Sequence, residues 1–221
     1  MRKSRKELVG LKATDRKEVL TKLLQVGDFE QASALLREDK NLLNFAYRLL
    51  YNEDPFLRYK AGFIMALGLK DDPGMARRIM ERLMWAMNDE SGTYCPGALV
   101  ASAQILATVP EAGRGFAPPI ASMVLEEDAN EDTLWAVGTL ATVLPDDITF
   151  VQPRLFEFLQ EESPSNIRGL ALRALLRFGA KIPEDLLRSL ARDEREVRFF
   201  ENGRLVVTSV AGVLREYRGS G

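Results

Sequence analysis

Along this chain, apolar residues return every third or fourth position in one segment after another, and strand-like alternation is nearly absent. In 74–88, "GMARRIMERLMWAMN", Met80, Leu83, Met84 and Met87 recur at helical spacing with Arg77, Arg78, Glu81 and Arg82 between them. Segments 42–52, 117–127, 152–162 and 183–193 are amphipathic in the same way. Each is followed by a segment of different character. In 56–68, Phe56, Leu57, Tyr59, Ala61, Phe63, Ile64 and Leu67 cover most of the circumference, leaving Arg58, Lys60 and Gly62. A helix that is apolar nearly all round is buried on several sides. The pattern therefore predicts helix pairs in which each second helix packs on its own first helix and on both neighbouring pairs.

The pairs repeat. Aligned on a small residue of the second helix, Ala61, Ala98, Ala136 and Ala171 follow one another at intervals of 37, 38 and 35 residues, the period of a two-helix unit. Asp54-Pro55 and Ser163-Pro164 read as an N-cap followed by proline in the first turn. Cys95 and Pro96 read the same way, with Pro96 in the first turn of the next helix and Cys95 near its N-cap. Pro73, Pro110, Pro145 and Pro183 punctuate the linkers. Two segments depart from the period. Residues 15–39 read as a shorter helical hairpin broken at Gly27-Asp28, capping the array. In 197–210, "VRFFENGRLVVTSV", β-branched and aromatic residues flank Asn202-Gly203, the strongest two-residue signal for a β-hairpin. A helix is expected from about 208 to 217. The fold class expected is all-α: an α-α superhelix of about five helix pairs with a short β-hairpin near the C-terminus. Residues 1–41 form a basic arm and capping hairpin, and 42–221 one continuous array with the hairpin inserted at about 197–208.

Asp54-Pro55 with Arg58 and Ala61, echoed by Ser163-Pro164 with Arg168 and Ala171, resembles the HEAT-like repeat of the phycobilisome-lyase type. The resemblance covers roughly residues 42–215; the second and third copies lack the Pro-x-x-Arg core. It implies an armadillo-like helical superhelix that binds protein on its concave face. Members of the group include bilin lyases, deoxyhypusine-type hydroxylases and bacterial adaptors. The hydroxylases hold iron with His-Glu pairs, and this chain contains no histidine, so that activity does not carry over.

The missing histidine also removes Ser-His and Cys-His nucleophile pairs and the commonest metal ligand. No glycine-rich phosphate cradle is present. Neither a cofactor nor a metal is expected. A single cysteine allows no internal disulfide and suits a reducing compartment. No run approaches the roughly 18 apolar residues of a membrane span, and the basic start lacks the apolar stretch of a signal peptide, so the protein is expected in the cytoplasm. The net charge of −2 is uneven: residues 1–22 carry eight Lys/Arg against three Asp/Glu, leaving −7 for the rest. The basic arm is either a contact for nucleic acid or an acidic partner, or a solvated terminus. The acidic remainder argues against nucleic acid.

Two groups of residues are candidate binding sites. The loop 88–95 brings together Asp89, Glu90, Ser91, Tyr94 and Cys95. Asp89, Glu90 and Ser91 either bind a cation or a basic group or cap the adjoining helices. Cys95 is either a thiol activated by a helix N-terminus or a small packing residue. Arg173 and Arg177, four residues apart, share one face of a second helix; with Arg58 they offer a basic strip along the concave side, or pair with nearby acids. Trp85 and Trp135, among apolar neighbours, read as core. The reading that follows is a non-catalytic protein-binding scaffold whose partner is an unidentified protein or peptide, engaged through the concave face. The alternatives are a nucleic-acid-binding module, or a lyase or chaperone assisting tetrapyrrole attachment or another protein modification.

Overall fold

A computed structural model describes residues 13–87 and 94–218. The helices are α1 Ala13–Val26, α2 Phe29–Glu38, α3 Lys40–Leu49, α4 Pro55–Leu69, α5 Pro73–Met87 and α6 Ala98–Thr108. They continue with α7 Ala117–Ser122, α8 Glu131–Leu140, α9 Gln152–Glu157, α10 Ser165–Arg177, α11 Glu184–Leu190 and α12 Val210–Arg218. Strands β1 Glu196–Glu201 and β2 Arg204–Ser209 lie between α11 and α12. The even-numbered helices stack in chain order, each packing on the next from α2 to α12, and the odd-numbered helices cover one side of that stack. The capping hairpin α1–α2 is the first pair of the stack.

The second helices are buried because their sequences leave them no polar face. Ala61, Ala98, Ala136 and Ala171 have no exposed surface. At Gly62 the approach is too close for a side chain: a Cβ there would lie 2.9 Å from Ala101 Cα on α6. Burying a repeating column of Leu, Ile and Ala between neighbours is the main source of stability in such arrays.

Local signals set most helix starts. The Asp54 carboxylate accepts from the Phe56 N–H at 2.9 Å, with Pro55 in the first turn. Asn130 caps α8 by accepting from the Asp132 and Thr133 N–H groups. Pro164 sits one place earlier than its pattern predicts: it occupies the N-cap position itself, and α10 begins at Ser165. The first helices of the later pairs are shorter than their apolar periodicity implies: a 3-10 turn at Met123–Leu125 takes up part of 117–127, and the helix opening 152–162, which follows a 3-10 turn at Pro145–Val151, ends at Glu157. A period near three does not separate the two helix types.

The β-hairpin turns where expected. Asn202 and Gly203 have φ of 48° and 80°, the two positive values a type I′ turn requires. The register runs from Glu201↔Arg204 to Glu196↔Ser209. The strands cross the free face of the second-helix layer. The Phe200 ring lies 5.5 Å from Tyr59 and 6.1 Å from Phe63, both on α4. A Cβ on Gly203 would fall 2.4 Å from the Phe29 ring of α2. The last pair is thus tied to the first, and the hairpin lies over part of the second-helix face. Among the described residues, no helix is long and apolar enough to cross a membrane.

Candidate functional site

The site is built where the hairpin meets α8 and α10. Arg173 and Arg177 do share one face of α10, but they do not form an open strip. Both bond the same oxygen of Glu201, Oε2, at the end of β1, Arg177 at 2.8 Å. Arg177 also donates to the Gly138 carbonyl at 3.1 Å. Arg173 is buried, with its guanidinium 4.9 Å over the Phe199 ring. Its pKa is pushed down to about 10, first by burial and then by the charge of Arg177. Burial acts to raise the Glu201 carboxyl, but the two guanidinium charges and their hydrogen bonds outweigh it and hold that group below its ordinary range. The expected basic strip is therefore corrected. A carboxylate 24 residues beyond Arg177 pairs with both guanidinium groups and offsets one of their two charges, a distance in sequence that helix-face reasoning does not reach.

The two edges of the hairpin differ. A two-residue turn makes Glu201↔Arg204 a hydrogen-bonded pair, and the alternation of antiparallel ladders then points the free backbone groups of Glu196, Arg198 and Phe200 outward from β1. All three meet a side chain of the helical layer. Ser165 Oγ donates to the Glu196 carbonyl at 2.6 Å, the Arg198 N–H donates to Asn166 Oδ1 at 2.6 Å, and Trp135 Nε1 donates to the Phe200 carbonyl at 2.7 Å. Three side chains stand in for a third strand. On β2 the same alternation turns Leu205 and Val207 outward, and their backbone N–H groups have no partner among the described residues. Their side chains are 43% and 53% exposed.

The motif arginines are clamps. The buried Arg168 donates to the Leu159 carbonyl at 2.9 Å, to Ser189 Oγ at 2.9 Å and to Asp193 at 2.5 Å. Arg58 donates to the Asn52 carbonyl at 3.1 Å and lies 4.0 Å from Asp132. It stands at the start of α4, among loop groups, and does not join Arg173 and Arg177. Asp132 also accepts from the Tyr59 hydroxyl at 2.6 Å. The half-exposed Tyr94 is near this cluster: its hydroxyl is pushed up first by burial and then by the charge of Asp132.

Asp89, Glu90 and Ser91 lie outside the described residues. Cys95 is buried, and burial pushes its thiol up, against the opposing pull of the Gly97 and Ala98 backbone groups. The N-cap of α6 is Gly97, not Cys95, whose carbonyl accepts from Ala98 at 3.0 Å. An activated thiol is thereby corrected to a packing residue. Trp135 is core as expected, but Trp85 is not: it is 62% exposed at the centre of the outward face of α5. Apolar neighbours in sequence include those on the far side of the same helix, so composition alone misplaced it.

Sequence reasoning found the hairpin but not its partners. Ser165, Asn166 and Trp135 carry no motif; only their projection from two stacked helices brings them to one strand edge. No family model matches the chain, and no solved structure matches it. Over 168 residues the chain is 28% identical to an uncharacterized protein of Archaeoglobus fulgidus, spanning 76% of this chain and 90% of that one.

Proposed function

We propose that the protein is a non-catalytic protein-binding module of the HEAT-like kind, and that it engages an extended segment of its partner along the open edge of β2 rather than in the concave face. The observation that carries this reading is the contrast between the two hairpin edges. Proteins ordinarily protect exposed strand edges, because unpaired N–H and C=O groups template the addition of another strand. Here β1 is closed by Ser165, Asn166 and Trp135, while β2 presents unpaired N–H groups and apolar side chains at Leu205 and Val207. Strand addition draws affinity from main-chain hydrogen bonds and specificity from alternate side chains. The hairpin is held on a rigid stack, so such an edge is preorganised and costs little ordering on binding. Pairing of Arg173 and Arg177 with Glu201 offsets one of their two charges and engages both guanidinium groups, which leaves little of the basic strip that nucleic acid would need.

The test is selection of extended peptides from a displayed library on the wild-type chain and on Val207→Pro. The Val207 N–H points away from β1, so proline there removes one outward donor without touching the internal ladder. Peptides held by the wild type and released by Val207→Pro are expected. Peptides held equally by both would refute binding along β2.

A further inference from the structure

We infer that the cavity where α10, the hairpin and α12 meet binds a small organic acid, a carboxylate on an apolar body, through Arg173 and Arg177. The inference is independent of strand addition, since neither Leu205 nor Val207 lines this cavity. Its volume is about 330 Å³, at the lower end of small-molecule sites. Both arginines line it, together with Leu176, Phe199, Val206 and Val213. It therefore offers cationic donors on one part of its wall and apolar surface on the rest.

The charges at that wall do not balance. The two guanidinium groups share one oxygen, Glu201 Oε2, and neither has a second carboxylate partner among the described residues. Glu216 also lines the cavity, but it is exposed, has an interaction of its own and pairs with neither arginine. Solvent screens an exposed charge far more than a buried one, so Glu216 does little to offset the excess. The hydrogen bonds are incomplete as well. A guanidinium carries five N–H donors. Arg173 uses one on Glu201; Arg177 uses one on Glu201 and one on the Gly138 carbonyl. Arg173 Nη1, beside Gly138, is buried without a partner, so its charge is not met on the α8 side either. A carboxylate entering from the cavity supplies the missing negative charge and accepts from N–H groups that Glu201 leaves unused, the pairing for which the arginine fork is shaped. The apolar walls select the body of the ligand. They disfavour inorganic phosphate, whose remaining oxygens would be buried without donors.

Titration calorimetry on the whole chain tests this with hexanoate, its uncharged counterpart hexanamide, and inorganic phosphate. Hexanoate is expected to bind at least about tenfold more tightly than either of the others. Arg177→Gln should weaken hexanoate at least about tenfold while keeping the wild-type circular dichroism. If that variant fails to fold, the wild type decides alone: the methyl resonances of Val206 and Val213 should move with hexanoate and stay in place with hexanamide and phosphate. Hexanamide bound as tightly as hexanoate would show that the arginines take no part, and phosphate bound as tightly would show that the apolar walls take none; either result overturns the inference. So does hexanoate that fails to bind at about 10 mM, or that binds and leaves both valines unmoved.

Discussion

Arg168 is fully buried, and its charge is tolerated only because the site supplies three acceptors. Of these, Asp193 carries the opposing charge, at 2.5 Å. Removing one partner of a buried pair strands the other, which costs about 3–5 kcal/mol. Asp193→Asn should therefore lower the urea midpoint strongly, while the exposed pair Arg77–Glu81 should be nearly silent when broken. The pH dependence has a definite sign. Asp193 is held at about 2 against an ordinary 3.8, first by the Arg195 side chain, with Arg168 and the Arg195 backbone adding to it against burial. A folded pKa below the unfolded one means that the ionised form stabilises the fold. This contribution is complete above the ordinary value and is lost as pH falls through about 2. Acid titration of stability should show a steep limb in that window for the wild type, and a flatter one for Asp193→Asn.

The hairpin joins elements that the helix repeat leaves apart. Its turn needs positive φ at both central residues, and at Gly203 it also needs the absence of a side chain, since a Cβ would meet Phe29 at 2.4 Å. Gly203→Ala should cost about 1–3 kcal/mol for the backbone strain alone, with more from displacing the ring. Leu205→Ala, on an exposed site, should stay within about 0.5 kcal/mol. Chemical denaturation of the two variants checks the contrast; equal effects would mean that Gly203 is held neither by its positive φ nor by contact with α2. The hairpin was legible from Asn202-Gly203 and its flanking β-branched residues. Its landing place was not, because strand signals specify pairing within the hairpin and nothing about the surface beneath it.

At the scale of the whole molecule, the hairpin acts as a brace. Stacked repeats touch only their neighbours, so the two ends of such an array normally open independently. Here Gly203 and Phe200 carry the last pair back to Phe29, Tyr59 and Phe63 in the first two. Replacing residues 197–208 with a short loop should uncouple the ends. Hydrogen exchange should then speed up in α2 and at the inner face of α4 well before α6 and α8. An unchanged exchange pattern would show that the stack holds its curvature without the brace.

The sequence by itself determined the helix pairs, their period, the burial of Ala61, Ala98, Ala136 and Ala171 and the turn at Asn202-Gly203. Each of these follows from local periodicity or from dihedral limits that act within a few residues. Only the tertiary structure decided that Glu201 would pair with both Arg173 and Arg177, that Cys95 would be shut in, and that Trp85 would face outward. It also decided that one strand edge would be closed by Ser165, Asn166 and Trp135 and the other left open. The reason is physical. Helix-face arithmetic states which residues share a face, but the charge, solvent and hydrogen-bond partners that the face meets come from segments distant in sequence, brought there by the stack.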